Sequence, residues 1–344
     1  MPPKVGVIAN PISGRDIRRI VAKANSLQIA DRANMLARAL AGLSAWGITD
    51  VLMMPERGGI TGHIMRHLSH AARRGDSGAI DLTLLKMPVT GSAEDSRRAA
   101  RIMAEEGVAA IIVLGGDGTH RIVASTCGDI PIASMSTGTN NAFADMREPT
   151  VTGYATGLVA TGVVPRAVGV KANKWLEVRI DDEPPEVALV DVAVVTQQNI
   201  GARALWRTDT FRELYVAFAD PQLIGMSAIA GLVEPVGRRE ASGLMLQLAP
   251  ADKAPTVVAA PIAPGLIEKI GIDNWRRLRP GEPVFSSVEA GSVALDGERE
   301  LCFDSRQKVS VRLVERAFNT IDVAAAVHFA AQNDALRKGA RLAV

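Results

Sequence analysis

The chain has 344 residues, a length that suits two domains better than one, and its 47% hydrophobic content is ample for real cores. A net charge of +2 gives no basic field, which removes electrostatic support for nucleic-acid or membrane-surface partners. Two cysteines, Cys127 and Cys302, exclude a disulfide framework and a cysteine zinc site. Met-Pro-Pro-Lys runs straight into a strand without a signal peptide, and no apolar run reaches bilayer length, so the expected location is the cytoplasm.

Val5–Ala9 reads as a short buried strand running into Asn10-Pro11-Ile12-Ser13-Gly14-Arg15, where Pro11 disfavours helix at Asn10. Residues 31–46 show an amphipathic helical pattern with Ala33, Leu36, Ala37, Leu40 and Leu43 near one face. A strand at 51–54, a helix at 61–74 and a strand at 82–85 follow. Ser92 is placed to cap a helix over 93–106, with Glu94 and Asp95 suiting its dipole. The run Ala110-Ile111-Ile112-Val113-Leu114 reads as a strand buried on both faces, ending in Gly115-Gly116-Asp117-Gly118-Thr119. Thr119 is expected to cap a helix to Cys127. A strand at 130–135 enters Ser136-Thr137-Gly138-Thr139-Asn140-Asn141. This alternation predicts a doubly wound, parallel α/β sheet over 1–148, with three polar or glycine-rich loops at the carboxyl ends of strands, where such sheets bind ligands.

After a helix near 153–162 the rhythm changes. Strands are expected at 175–180, 187–196, 244–248, 256–259, 267–272, 292–295 and 309–314, with 209–219 helical. This gives a β-rich, sandwich- or barrel-like domain over 149–318. Residues 321–337 read as a closing helix, so 319–344 is expected to return to the first domain.

Chemistry concentrates at the central turn. Its glycines are expected to permit positive φ and close approach to a ligand, and a helix N-terminus favours phosphate. A carboxylate there, Asp117, suits phosphoryl transfer, either by holding Mg²⁺ or by accepting the attacking hydroxyl's proton. The same residues also read as a plain glycine-rich turn with a solvated Asp. His63, His67 and His70 share a helix face, which reads better as solvated surface than as a metal site. His120 touches phosphate or lies on the helix surface.

Gly115–Thr119 resembles the signature shared by ATP-NAD kinases and the diacylglycerol and sphingosine kinase group. Asn10–Gly14 is similar to that superfamily's N-terminal loop, residues 136–144 resemble the Gly-Thr-Gly-Asn loop of its lipid kinases, and Ala294-Leu295-Asp296-Gly297-Glu298 resembles its late Asp-Gly-Glu hairpin. Within the superfamily the chain looks most like the acetoin catabolism protein X group, on Gly115–Ile122, Ser136–Phe143, Ala188–Val192, Gly201–Trp206 and Leu295–Glu300.

The resemblance implies a NAD kinase-like fold and ATP-dependent transfer to a hydroxyl. ATP and Mg²⁺ are the implied cofactors, NAD is the leading acceptor, and the chain is expected to be a homo-oligomer. A lipid or small-molecule kinase and a non-catalytic nucleotide-binding accessory protein are the alternatives. Asp117 is the candidate catalytic carboxylate. Gly115, Gly116, Gly118 and Thr119 would cradle phosphate, closed by Asn10, Ser13, Gly14 and Arg15. Ser136, Thr137, Gly138, Thr139, Asn140 and Asn141 would meet ribose or base, or else form a polar capping loop. Asp296 and Glu298 lie in an Asp-Gly turn that also reads as a plain hairpin. Asp191, in an apolar strand, needs a partner or a ligand. Common NAD kinases carry an Asn-acid pair near this point; here Val190 stands where the Asn is expected, beside Asp191.

Overall fold

A computed structural model describes residues 3–11, 27–73, 80–137, 141–196, 211–297, 299–333 and 336. Its first half alternates as the sequence does: β1 (Val5–Ala9), α1 (Ile29–Ser44), β2 (Asp50–Met53), α2 (Ile60–Arg73), β3 (Asp81–Leu84), α3 (Ala93–Glu105), β4 (Ala110–Gly115), α4 (Asp117–Ala124), β5 (Ile132–Ser136) and α5 (Pro149–Ala160). The five strands are parallel, in the order β3-β2-β1-β4-β5. The chain therefore winds outward from β1 and then returns to β4, which makes the β1–β4 crevice the topological switch point. Side chains alternate across the sheet. Val5, Val7, Ile112 and Leu114 pack with α1, α2 and α5, while Ile8, Ile111 and Val113 share a core with α3 and α4 residues such as Met103 and Val123.

The second half supplies α6 (Arg166–Gly169), β6 (Val170–Ile180), β7 (Glu186–Ala188), β8 (Asp191–Val195), β9 (Phe211–Val216), α7 (Met226–Gly231), β10 (Gly243–Ala249), β11 (Thr256–Ala263), β12 (Leu266–Leu278), β13 (Pro283–Phe285), β14 (Gly291–Leu295), β15 (Arg299–Phe303), β16 (Val309–Ile321) and α8 (Val323–Gln332). Seven of its strands form an antiparallel sheet, β11-β12-β10-β9-β8-β14-β15. The others extend the parallel sheet: β16 meets β5 at Thr320–Ile132 and pairs along its length with β6. The interior therefore lies between this extension and the second sheet, where Leu176, Val178, Val311 and Leu313 share one core with Val192, Tyr215, Met245, Val293 and Leu295. Val323, Ala326 and Ala330 of α8 pack into the core of the first half.

Helix α7 and strands β13 and β15 lie outside the expected elements, and two expected elements take another form. Residues 211–216 form strand β9, not a helix, because the segment is buried between β8 and β10. With both faces covered, no alternation marks it as a strand. The expected strand at 187–196 is broken at Leu189-Val190, whose N–H groups leave the ladder for the Asp296 carboxylate.

Candidate active site

Loops from three strand ends meet at the switch point. The Asn10 backbone N–H donates to the Leu114 carbonyl (3.1 Å), and its side-chain amide donates to Thr119 Oγ1 (3.1 Å). Thr137 N–H donates to the Gly115 carbonyl (3.2 Å), and the Asn141 amide donates to Ser136 Oγ (2.7 Å). Ser136 and Thr137 are buried. Asn10, Gly115, Gly116, Gly118, Thr119, Ser136, Thr137 and Asn141 thus form one wall. Ser13, Gly14, Arg15, Gly138, Thr139, Asn140 and Glu298 lie outside the described residues.

The glycines do not supply the expected positive φ. None of Gly115, Gly116 and Gly118 has a positive φ. At two of them smallness matters instead: a Cβ on Gly115 would sit 2.7 Å from Thr119 Cβ, and one on Gly116 would sit 3.2 Å from Asn141 Oδ1. Thr119 does not cap the helix. Gly116 is the N-cap, with φ −91°, and α4 starts at Asp117. Thr119 and His120 donate their N–H groups to the Gly116 carbonyl, so Asp117 and Gly118 are left as the outward-facing donors of the first turn.

Asp117 is not a solvated turn residue. It is buried, and its carboxylate accepts three consecutive backbone N–H groups: Ala142 on Oδ2 (2.7 Å), and Phe143 (3.1 Å) and Ala144 (3.2 Å) on Oδ1. Burial pushes its carboxyl up to about 7, with help from the charge of Asp296, and the three N–H groups only partly offset this. A carboxylate offers about four lone-pair positions, so one remains, on Oδ2, for an outside donor.

Asp296 faces it from the second sheet. It has φ 50° in the turn after β14, and its carboxylate accepts N–H groups from Leu189 (3.1 Å), Val190 (2.8 Å) and Asp191 (3.3 Å). These bonds offset the roughly 1 kcal/mol or more that a left-handed non-glycine residue costs. Asp191 is buried beside it and accepts the Asp296 N–H on its backbone carbonyl (2.9 Å). The Val190 side chain is buried in the core and presents no polar group.

Three further residues shape this site: Arg121 and Arg238, for which the sequence suggests no role, and His120, expected to touch phosphate or lie on the helix surface. Arg121, one turn after Asp117, reaches across to the Leu295 carbonyl (2.5 Å) and to Asp296 Oδ2 (3.5 Å). His120 is fully buried rather than on the helix surface. Its Nδ1 pairs with the Gly116 carbonyl (2.8 Å) and its Nε2 with Ser134 Oγ (2.8 Å), which assigns the proton to Nδ1. Burial pushes it down to about 4. Arg238, in the loop before β10, donates to the carbonyls of Ala142 (2.5 Å) and Phe143 (2.9 Å). His63, His67 and His70 lie exposed on α2.

The fold is NAD kinase-like: residues 5–163 match the ATP-NAD kinase N-terminal domain. Residues 174–316 match the acetoin catabolism protein X C-terminal domain. Acetoin catabolism protein X of Cupriavidus necator is 52% identical over 340 residues, 97% of this chain and 94% of that protein. The chain belongs to the acetoin catabolism protein X family. Solved structures with a similar course include yeast NADH kinase complexed with NADH (TM-score 0.45, 10% identity, 99% of this chain and 89% of that one). A diacylglycerol kinase from Bacillus anthracis str. Sterne is another (TM-score 0.43, 14% identity, 93% and 96%). Among the described residues, no helix is long and apolar enough to cross a membrane.

Proposed function

We propose that this protein transfers the γ-phosphoryl group of ATP to a hydroxyl, with a NAD-type dinucleotide as the leading acceptor, in the service of acetoin catabolism. The observation that carries the reading is Asp117: a buried carboxylate at the switch point, immobilised by three N–H bonds, with one lone pair left over. The hydroxyl oxygen attacks the γ-phosphorus, the bond to the bridging oxygen of ADP breaks, and the hydroxyl proton passes to Asp117. A base near 7 suits that role at neutral pH. The N–H groups of Asp117 and Gly118 would meet phosphate oxygens.

Mg²⁺ fits as a companion of the phosphates. Among the described residues no group of three His, Cys, Asp or Glu could cage it, and Mg²⁺ is usually held by one or two carboxylates plus phosphate oxygens. Three N–H groups and Arg121 occupy the Asp296 carboxylate, so phosphate oxygens would supply most of the ligands. The spare Asp117 Oδ2 position would serve the ion only where it does not take the proton. When bound, Mg²⁺ would neutralise charge on the transferring group.

A second reading changes the acceptor and keeps the chemistry. Val190, apolar and in the core where common NAD kinases place an Asn, favours a lipid or small polyol over NAD. Labelled ATP offered with NAD, NADH, diacylglycerol and small diols decides between them. Label appearing in NADP or NADPH supports the leading reading, label in diacylglycerol or a diol supports the second, and ATP stabilisation without transfer to any acceptor overturns both in favour of a non-catalytic binder.

A further inference from the structure

The turn that holds Asp117 is gripped from both sides. The peptide joining Ala142 to Phe143 offers its N–H to Asp117 Oδ1 (3.1 Å) and its carbonyl to Arg238 Nη2 (2.5 Å). The next peptide, Phe143 to Ala144, does the same with Asp117 Oδ1 (3.2 Å) and Arg238 Nη1 (2.9 Å). Two adjacent peptide planes thus lie between a guanidinium and a carboxylate, with their dipoles aligned along the line joining the charges. Such alignment polarises each peptide and strengthens both sets of bonds.

Arg238 is itself held. Its guanidinium lies 4.8 Å over the Phe218 ring and 5.9 Å over Phe143, and it pairs with Asp145 at 3.5 Å. Its loop is pinned by the buried Lys174, whose ammonium donates to the carbonyls of Gly237 (2.9 Å), Glu240 (2.6 Å) and Ser242 (2.5 Å). The turn belongs to the first half of the chain and the arginine to the second, so the seating of the Asp117 carboxylate depends on how the two halves meet.

We infer that Arg238 is a positioning residue for Asp117, acting through the 142–144 peptides without touching the reacting atoms. Its consequence for rate rests on the phosphoryl-transfer reading; its consequence for structure does not. Lysine carries the charge but cannot bracket two carbonyls, so Arg238→Lys should behave as an intermediate.

The test compares the full chain with Arg238→Met, Arg238→Lys and Arg239→Met, the last removing an adjacent exposed arginine that pairs with Asp322. Amide hydrogen exchange at Phe143 and Ala144, resolved by NMR, should be at least about tenfold faster in Arg238→Met, less so in Arg238→Lys, and unchanged in Arg239→Met. Equal exchange in Arg238→Met and the parent, or equal acceleration in Arg239→Met, overturns the inference. On the acceptor that the parent phosphorylates, kcat should fall about 10- to 100-fold in Arg238→Met while KM for ATP stays within about threefold. An unchanged kcat also overturns it. A parent that phosphorylates no acceptor sinks the proposed function, and the exchange rates still decide the role of Arg238.

Discussion

Asp117 and Asp296 are built alike from opposite sheets: each carboxylate accepts three consecutive backbone N–H groups, and the charge of Asp296 helps hold the Asp117 carboxyl up. Among the described residues only Asp296 of the two has a direct cationic partner, Arg121, at 3.5 Å. The pair is therefore asymmetric in charge though similar in form. That suits a carboxylate, Asp117, that exchanges a proton near neutrality.

Asp117→Asn should lower turnover by about 10²- to 10⁴-fold, the usual contribution of a positioned base. It should not be structurally silent. An asparagine presents one oxygen and one NH₂ group to three N–H donors, so at least one donor loses its acceptor. That costs about 1–3 kcal/mol, read as a lower urea midpoint. Unchanged turnover would remove Asp117 from the mechanism; an unchanged midpoint would contradict the three-bond seat.

The pH dependence of turnover follows from the same carboxyl. With a value of about 7, kcat/KM should climb through neutrality and level off above it. Arg121→Met leaves Asp296 without its cation and so raises the cost of a second negative charge at Asp117. The rising limb should move to higher pH in that variant. A limb that stays put, or moves to lower pH, would show that Asp296 and Asp117 are not coupled.

Stability should depend on pH through two opposed groups. His120 falls from its ordinary 6.5 to about 4, so the unfolded chain takes up a proton first and stability is lost as pH drops from about 6.5 to 4. Asp117 rises from 3.8 to about 7, so the unfolded chain releases a proton first, and the stability it contributes at low pH is lost as pH climbs from about 4 to 7. Between pH 6.5 and 4.5 the two offset each other. Asp117→Asn removes one, and its unfolding free energy should then fall on the order of 2 kcal/mol more than the parent's across that interval. His120→Leu should show the reverse slope. Urea titrations at three pH values measure both.

Much of this was legible because short-range patterns carried it. A buried apolar run ending in Gly-Gly-Asp-Gly-Thr marked β4 and its turn, and alternation of strands with helices marked a parallel sheet with ligand-binding ends. Distant pairings left no such trace. Arg238 meets Phe143 across 95 residues and Arg121 meets Leu295 across 174, and nothing local distinguishes either arginine from a surface one. The Leu189-Val190 break was hidden because both residues are as apolar as the strands they separate; only the Asp296 carboxylate explains it. Of the reasons for expecting glycine there, positive φ is not the one the structure uses. Contact with Thr119, not backbone handedness, stands against a side chain at Gly115, and Asn141 crowds one at Gly116.

The same distinction gives a paired test on two helical glycines. In α5, a Cβ on Gly153 would lie 1.9 Å from the Ala39 carbonyl oxygen, a backbone atom of α1 that cannot swing aside. Gly42 makes the reciprocal approach, its added Cβ falling 2.3 Å from the Thr150 carbonyl oxygen, so the two helices cross through facing glycines. Gly153→Ala must separate them, and such overpacking costs about 1–3 kcal/mol or more, well above the helix-propensity gain of about 1 kcal/mol. In α2, Gly62 is exposed with no atom within 4 Å of an added Cβ, so there the propensity gain stands alone. Gly62→Ala should raise the urea midpoint and Gly153→Ala should lower it. α5 also follows directly from the 141–148 segment, and its N-cap Glu148 holds the Val151 N–H (3.1 Å). Displacing α5 therefore pulls on the turn that seats Asp117, and Gly153→Ala should lose turnover beyond its loss of folded protein, whereas Gly62→Ala should keep it. Opposite signs in the two midpoints with equal turnover per folded molecule would confine the glycine contact to stability and separate it from the site.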